Sequence, residues 1–316
     1  MKSLIKIALV AFASAALAQP YPSKPIHLVV AFPPGGPVDI VARLITPKLS
    51  ETLGESIVVE NRAGAGGNLP TSQVAKAAPD GYTLLAHSAS YAINPSLWSN
   101  PGYDPEKDFA PVAIVASQPN LIVVNEAFPA RTLEQLLQMA RTGRLAYASP
   151  SSGTTAHLTA ENLFRVRAKL DITHVPFKGA GPAVAAVVGG QPPIGSLGAA
   201  GPISQIKAGR LRALAVSGSH RLAALPEVPT LGELGFAGME DYVWIGLFAP
   251  AGTSQETMQK LNGAVLKVVQ APEIRARLVA LGFEPSAVPL RDTEQYVRDE
   301  IAKWARVVRD TGAKAD

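Results

Sequence analysis

The sequence predicts an α/β protein of two lobes with a cleft between them, each lobe a mainly parallel sheet flanked by helices. Three observations point there. Strand-like and helix-like runs alternate at the spacing of βαβ units. Two stretches about 120 residues apart share one pattern: 26–39 (IHLVVAFPPGGPVD) and 145–157 (LAYASPSSGTTAH) each run from an apolar strand through glycine or hydroxyl residues into a helix. Apolar runs near 112–125 and 243–249 then read as two passages of the chain between lobes. The expected division is 19–120 with 245–316 in the first lobe and 121–244 in the second.

Composition agrees. A chain of 316 residues has room for two domains, and 47% hydrophobic against 17% charged residues excludes global disorder. With 6% aromatics and 27 each of Gly and Pro, many turns are expected, which suits α/β better than an all-β sandwich. Lys2 and Lys6 precede the apolar run 7–16, and Ala16-Leu17-Ala18 forms a small-x-small site before Gln19. This reads as a signal peptide over 1–18, cleaved near Ala18-Gln19, because the run is too short for a bilayer core of about 30 Å. The expected product is an exported, periplasmic monomer. Cysteine is absent, which excludes disulfides, thiolate catalysis and Cys-ligated metals. Lys2 and Lys6 belong to the leader, so the formal +4 falls to about +2; with no dense Lys/Arg run, no nucleic-acid partner is expected.

Taken in order, a strand is expected over 26–32, a helix over 38–53 with Pro47 inside it, and a strand over 56–61. A glycine-rich turn at 62–68 (RAGAGGN), a short helix over 70–77 and a strand over 82–87 follow. Residues 94–108 read as an ordered loop, and 112–116 and 121–125 as two short strands split by Gln118-Pro119. Thr132 and Gln135 form a capping box for a helix to Arg141. The second lobe then has strands over 145–149, 172–176, 194–197 and 211–217, and helices over 155–166, 180–188 and 203–208. A Pro/Gly-rich connection at 221–238 precedes the return strand 243–249 and helices over 255–270, 272–281 and 293–311, the first capped by Thr253 or Ser254.

Four stretches carry the chemistry. In 33–39, Gly35 and Gly36 admit close approach to the backbone and Asp39 opens a helix, an arrangement that suits an anion; an ordinary turn with Asp39 capping its own helix reads the same way. Ser88-Ala89-Ser90 closes a strand with small donors. Ser149, Ser152, Gly153, Thr154 and Thr155 offer hydroxyls and amides for an anion, and His157, in the first helical turn, packs or donates to a ligand. Lys178 and Gly179 follow a strand; Lys178 either pairs with a carboxylate or is solvated. A hydrolase on the Ser/His stretch lacks an orienting acid, and no G-x-S-x-G elbow occurs. The turn 62–68 lacks the Lys and Ser/Thr of a phosphate loop and is expected near the cleft; the five histidines show no metal-ligand spacing. No enzyme, metal or cofactor is expected.

The ordered motifs YPSKPIHLVVAFPPGGPVDIVAR, VVENRAGAGGN, APDGYTLL, YDPEKDFAPV, SSGTTAHLTAE, HVPFKGAGPA, IKAGRLRALAVS, LPEVPTLGELG, APAGTS and EIAKWARVV span the chain after the leader. Together they resemble the Bug proteins, the TctC-like extracytoplasmic receptors of tripartite tricarboxylate transporters. The resemblance implies a type II periplasmic-binding-protein fold closing on a small carboxylate: a tricarboxylate, dicarboxylate, aromatic acid or acidic amino acid. It implies a membrane permease as partner, or a sensor kinase in a signalling role. Carried onto this chain, it implies ligand contacts from Phe32, Pro34, Gly35, Gly36, Asp39, Ser88, Ala89 and Ser90 in the first lobe. In the second lobe it implies Ser149, Ser152, Gly153, Thr154, Thr155, His157, Lys178 and Gly179, to which Ala199 is added. One segment departs from the family pattern. Residues 183–201 (AVAAVVGGQPPIGSLGAAG) contain no acid, with Ala186, Pro193 and Leu197 where polar groups are expected, which implies a less polar second-lobe floor.

Overall fold

The computed structural model describes residues 21–286 and 288–315; the expected leader and its cleavage site lie outside them. Chain order is β1 (Ile26–Val30), α1 (Pro37–Leu53), β2 (Ile57–Asn61), α2 (Asn68–Val74), β3 (Thr83–Ser88), α3 (Ser90–Leu97) and β4 (Phe109–Asn125). Then come α4 (Leu133–Thr142), β5 (Ala146–Ser149), α5 (Thr155–Glu161), β6 (Thr173–Pro176), α6 (Ala180–Val188), β7 (Ile194–Gly198), α7 (Ile203–Lys207) and β8 (Leu211–Val216). The chain closes with β9 (Tyr242–Pro250), α8 (Gln255–Gln270), α9 (Pro272–Ala280), β10 (Glu284–Pro285) and α10 (Leu290–Thr311).

Two sheets meet along β4. The first runs β2-β1-β3-β9-β4 with β10 beside β4, and the second runs β4-β7-β5-β6 with β8 also on β4. Both are mixed. β1 is parallel to β2 and β3, and β5 to β6 and β7, whereas β4 and β9 lie antiparallel to their neighbours. A mainly parallel pattern fails at these two strands because they enter each sheet from the other rather than through a βαβ crossover.

β4 is a single strand of 17 residues, not two short ones. Pro119 stands opposite Tyr242 at the end of the β9 ladder, and Asn120 opposite Gly198 begins the β7 ladder. Proline is tolerated where pairing changes hands. Two further elements are unexpected: the short β10, and α3, whose Pro95 suggests a loop. Tyr91, Ala92, Ile93 and Leu97 are all buried there, and the Tyr91 ring stacks on Phe248 at 4.1 Å. Pro47 inside α1 is outweighed in the same way. An interior proline costs about 3 kcal/mol, but Val41, Leu44, Ile45 and Leu49 are buried at roughly 1.5–3 kcal/mol each.

Local signals set the helix starts. Pro37 takes the first turn of α1, Thr132 accepts from Gln135 N, and Ser254 accepts from Thr257 N. The helix after β5 runs as α5 and continues as a π-helical stretch to Arg167. At the strand crossings, α10 is anchored by Glu300, which accepts from both Trp244 Nε1 (2.7 Å) and Trp304 Nε1 (2.9 Å). Lys303 lies 3.3 Å from the buried Asp241, whose carboxylate also accepts from Thr159 Oγ1. Burial drives the Asp241 carboxyl up to about 6 against the pull of Lys303. The last helix therefore touches both sides of the molecule.

Candidate functional site

A cavity of about 740 Å³ lies between the sheets, walled by loops that follow strands of both. Five helices begin at it: Gly36 to Val38 open α1, Gly67 precedes α2, Ser88 and Ser90 flank the start of α3, Thr154 to Ala156 open α5, and Gly179 to Gly181 open α6. First-turn N–H groups have no carbonyl one turn back, and each helix start carries a partial positive charge. Among the described residues of the wall only Lys178 has a charged side chain, and none is acidic. The arrangement can hold an anion between the two sides.

Asp39 is part of the scaffold rather than the wall. Its carboxylate accepts from Gly35 N (2.9 Å), Arg43 Nε (2.8 Å) and Asn61 Nδ2 (2.9 Å), and Asn61 also donates to Phe32 O. Burial pushes this carboxyl up, but those three donors outweigh it and hold it below the usual range. The bracing fixes Gly35 at φ +80, which favours glycine.

Below the glycine-rich turn lies His87, fully buried, its Nδ1 2.9 Å from Ser88 O. A Cβ on Gly67 would come within 2.5 Å of His87 Nε2, so only glycine fits there. Burial drives His87 down to about 4, leaving a neutral ring.

The 149–154 loop is also held from behind. Ser149 Oγ is 2.7 Å from His174 Nε2 and donates to Ser151 O, while Thr154 Oγ1 donates to Ser151 O and accepts from His157 N. His157 Nδ1 accepts from Gly153 N at 3.3 Å, and its ring stacks on His174 with centroids 4.0 Å apart. Burial, then the nearby His174 and Arg165, push His157 down to about 3. Phe177 N and Gly179 N donate to Ser149 O and Pro150 O, tying the start of α6 to this loop.

Of the expected site residues, Phe32, Pro34, Gly35, Gly36, Ser88, Ser90, Thr154, Thr155, Lys178 and Gly179 lie on the wall. Asp39, Ala89, Ser149, Ser152, Gly153, His157 and Ala199 do not. Ala89 and Ala199 are fully buried core, Ala199 N donating to Pro119 O. Ser149 and His157 are used up in the loop's own bonds, and Gly153 faces Leu97 and Asn94 of α3. A Ser149–His174 hydrolase dyad has no access, since Ser149 is buried and off the wall. Residues 63–67, Ala156, Phe177 and Val243 line the cavity without being among the expected contacts, and Pro150 and Ser151 line it from within the expected 149–155 stretch. Residues 63–67, Pro150, Ser151 and Phe177 share a position just beyond a strand end, which the glycine run at 62–68 displays most openly, whereas Ala156 lies in the first turn of α5 and Val243 inside β9. In the acid-free segment 183–201 only Gly198 reaches the wall, and Leu197 is core, so most of that departure falls behind the cavity.

Residues 41–313 match the model of the tripartite tricarboxylate transporter family receptor. The chain belongs to that family. The receptor is 38% identical over 314 residues to protein BugT of Bordetella pertussis, covering 98% of this chain and 96% of BugT. Among solved structures it resembles Rpa4515 of R. palustris with adipate (34% identity, TM-score 0.88, 92% of this chain and 98% of that one). It also resembles MatC of Rhodopseudomonas palustris with bound malate (35%, TM-score 0.85, 91% and 100%). Structures at this likeness are two-lobed periplasmic binding proteins, and the receptor shares their fold. The family is periplasmic, and its members are solute receptors, not enzymes.

Proposed function

We propose that this receptor is exported through its leader, captures a small carboxylate between its lobes and presents it to the permease of a tripartite tricarboxylate transporter. The observation that carries the reading is the cavity wall: five helix starts and Lys178, with no acidic side chain among the described residues. Adipate and malate in the two related structures support the carboxylate class. A charge-assisted hydrogen bond contributes about 1.5–3 kcal/mol, so three or four, less the cost of ordering, give binding on the order of micromolar. We take 19–120 with 245–316, and 121–244, as the units that close on the ligand, with β4 and β9 as the hinge. Closure then forms the surface the permease reads.

Thermal unfolding of the purified protein against a panel of carboxylic acids and their amides tests the reading, because a ligand that binds only the native state raises Tm. At least one acid should raise Tm while its amide does not. Gly36→Val should weaken binding of that acid without unfolding the protein, since a Cβ there meets only Pro33 O at 3.6 Å. Equal shifts from acid and amide, or none from any acid, would refute the proposal.

A further inference from the structure

We infer that the carboxylate selected by this cavity has an apolar chain or ring for a body and carries no amino group. The inference rests on the carboxylate reading above and narrows it.

The charge inventory excludes the amine. Among the described residues no Asp or Glu lines the cavity. Asp39, beside the start of α1, is 4% exposed and has both oxygens occupied by Gly35 N, Arg43 and Asn61. An ammonium inside would be desolvated without an anionic partner and would face the positive ends of the same helices that attract the carboxylate. The acid end is welcomed and the amine end is not.

The apolar body follows from what remains of the wall. Phe32 follows β1 on the first side and Phe177 follows β6 on the second, and each is half-buried against its own core with surface left to the cavity. Val38, Val243 and several prolines fill in between them. Among the described residues the wall carries five hydroxyls, those of Ser88, Ser90, Ser151, Thr154 and Thr155, and three of them are engaged within the protein. Thr154 Oγ1 is engaged with Ser151 O and His157 N, Thr155 Oγ1 with Asn120 Oδ1, and Ser88 Oγ accepts from Ser90 N. That leaves Ser90 and Ser151 as the hydroxyls open to a polar body, against two phenyl rings and several prolines open to an apolar one. At about 740 Å³ the cavity lies in the range that accepts drug-sized molecules, more room than a four-carbon diacid fills.

Calorimetric titration of the purified protein with 3-phenylpropanoate, hexanoate, phenylalanine and malate tests this. Phenylalanine differs from 3-phenylpropanoate only by its ammonium, and malate replaces the apolar body with a short hydroxylated one while adding a second carboxylate, so the apolar acids must win against an extra charge. Either apolar acid should bind at least tenfold tighter than malate, and 3-phenylpropanoate at least tenfold tighter than phenylalanine. Malate or phenylalanine binding as tightly as the apolar acids would overturn the inference while leaving the carboxylate reading intact. No binding by any of these acids or by the wider acid panel would remove that reading, and this one with it. Phe177→Ala should narrow the gap between 3-phenylpropanoate and malate at least threefold, with Phe177→Leu as the milder version should the alanine variant fail to fold. An unchanged gap in a folded variant would also count against the apolar body.

Discussion

Gly153, in the loop before α5, packs against Leu97 and Asn94 of α3, and replacing it with alanine is a sharp test of the geometry. Its φ is +77, and a Cβ there would lie 2.8 Å from Leu97 Cδ2 and 2.9 Å from Asn94 Oδ1. Two costs add. Holding alanine in the left-handed region costs about 1–2 kcal/mol. Forcing a methyl into a filled site costs about 1–3 kcal/mol, unless the neighbours move aside. Neither neighbour moves freely, since Leu97 is buried and the Asn94 amide donates to Gly66 O and Asn68 Oδ1. Gly153→Ala should therefore lose roughly 2–5 kcal/mol, or a fall in Tm on the order of 3–8 °C for a chain of this size. The strain has one easy outlet: the 149–154 loop draws away from α3 and the walls part. Ligand affinity should then fall together with Tm. Gly36→Ala is the control, with φ −79 and only Pro33 O within reach, and its Tm should stay within about a degree of the parent. The assay is thermal unfolding by circular dichroism with and without a bound acid. A Gly153→Ala protein that melts with the parent would refute the contact between the loop and α3.

Further outcomes follow from the wall and from the buried rings. Lys178→Met should weaken every carboxylate about tenfold by titration at low salt, with little change in Tm, because the side chain is exposed and its charge is discounted by solvent; unchanged affinity would remove Lys178 from the site. His87 and His157 are held down to about 4 and about 3 mainly by burial, so the unfolded chain takes up their protons first and stability falls as pH drops below about 6.5. By pH 5 the two rings should have cost roughly 4 kcal/mol, of which Asp241, raised to about 6 and so protonated first in the folded state, returns about 1 kcal/mol; urea unfolding that is no easier at pH 5 than at pH 7 would contradict the burial of these rings.

Much of the fold is legible because its signals are local. The capping box at Thr132 and the cap at Ser254, one of the two candidates there, need only neighbouring residues, and α6 and α8 begin and end where their patterns say. What escapes depends on distant partners. Pro95 reads as a breaker until α3 is seen to pack Tyr91 on Phe248, about 150 residues away in sequence. Pro119 reads as a gap between strands until β7 and β9 are seen to share the change of pairing.

The site divides in the same way, and the division has a physical reason. Sequence alone indicates which loops reach the cavity, since each follows a strand end and opens a helix, but not which side of a loop faces it. Asp39, Ser149 and His157 look like the best ligand contacts because they are the best hydrogen-bonding groups in their loops. For that reason they are taken up by the loops themselves, through Arg43 and Asn61, through His174, and through Gly153 N. Much of the wall is left to Gly, Ala and Pro, residues with little side chain to interpose. A backbone N–H can meet an anion only where no bulky neighbour stands in front of it and the loop is stiffened from the far side. The polar residues and the bare ones are thus two halves of one device, and a reading that scores donors by side chain alone will select the half that faces away from the cavity.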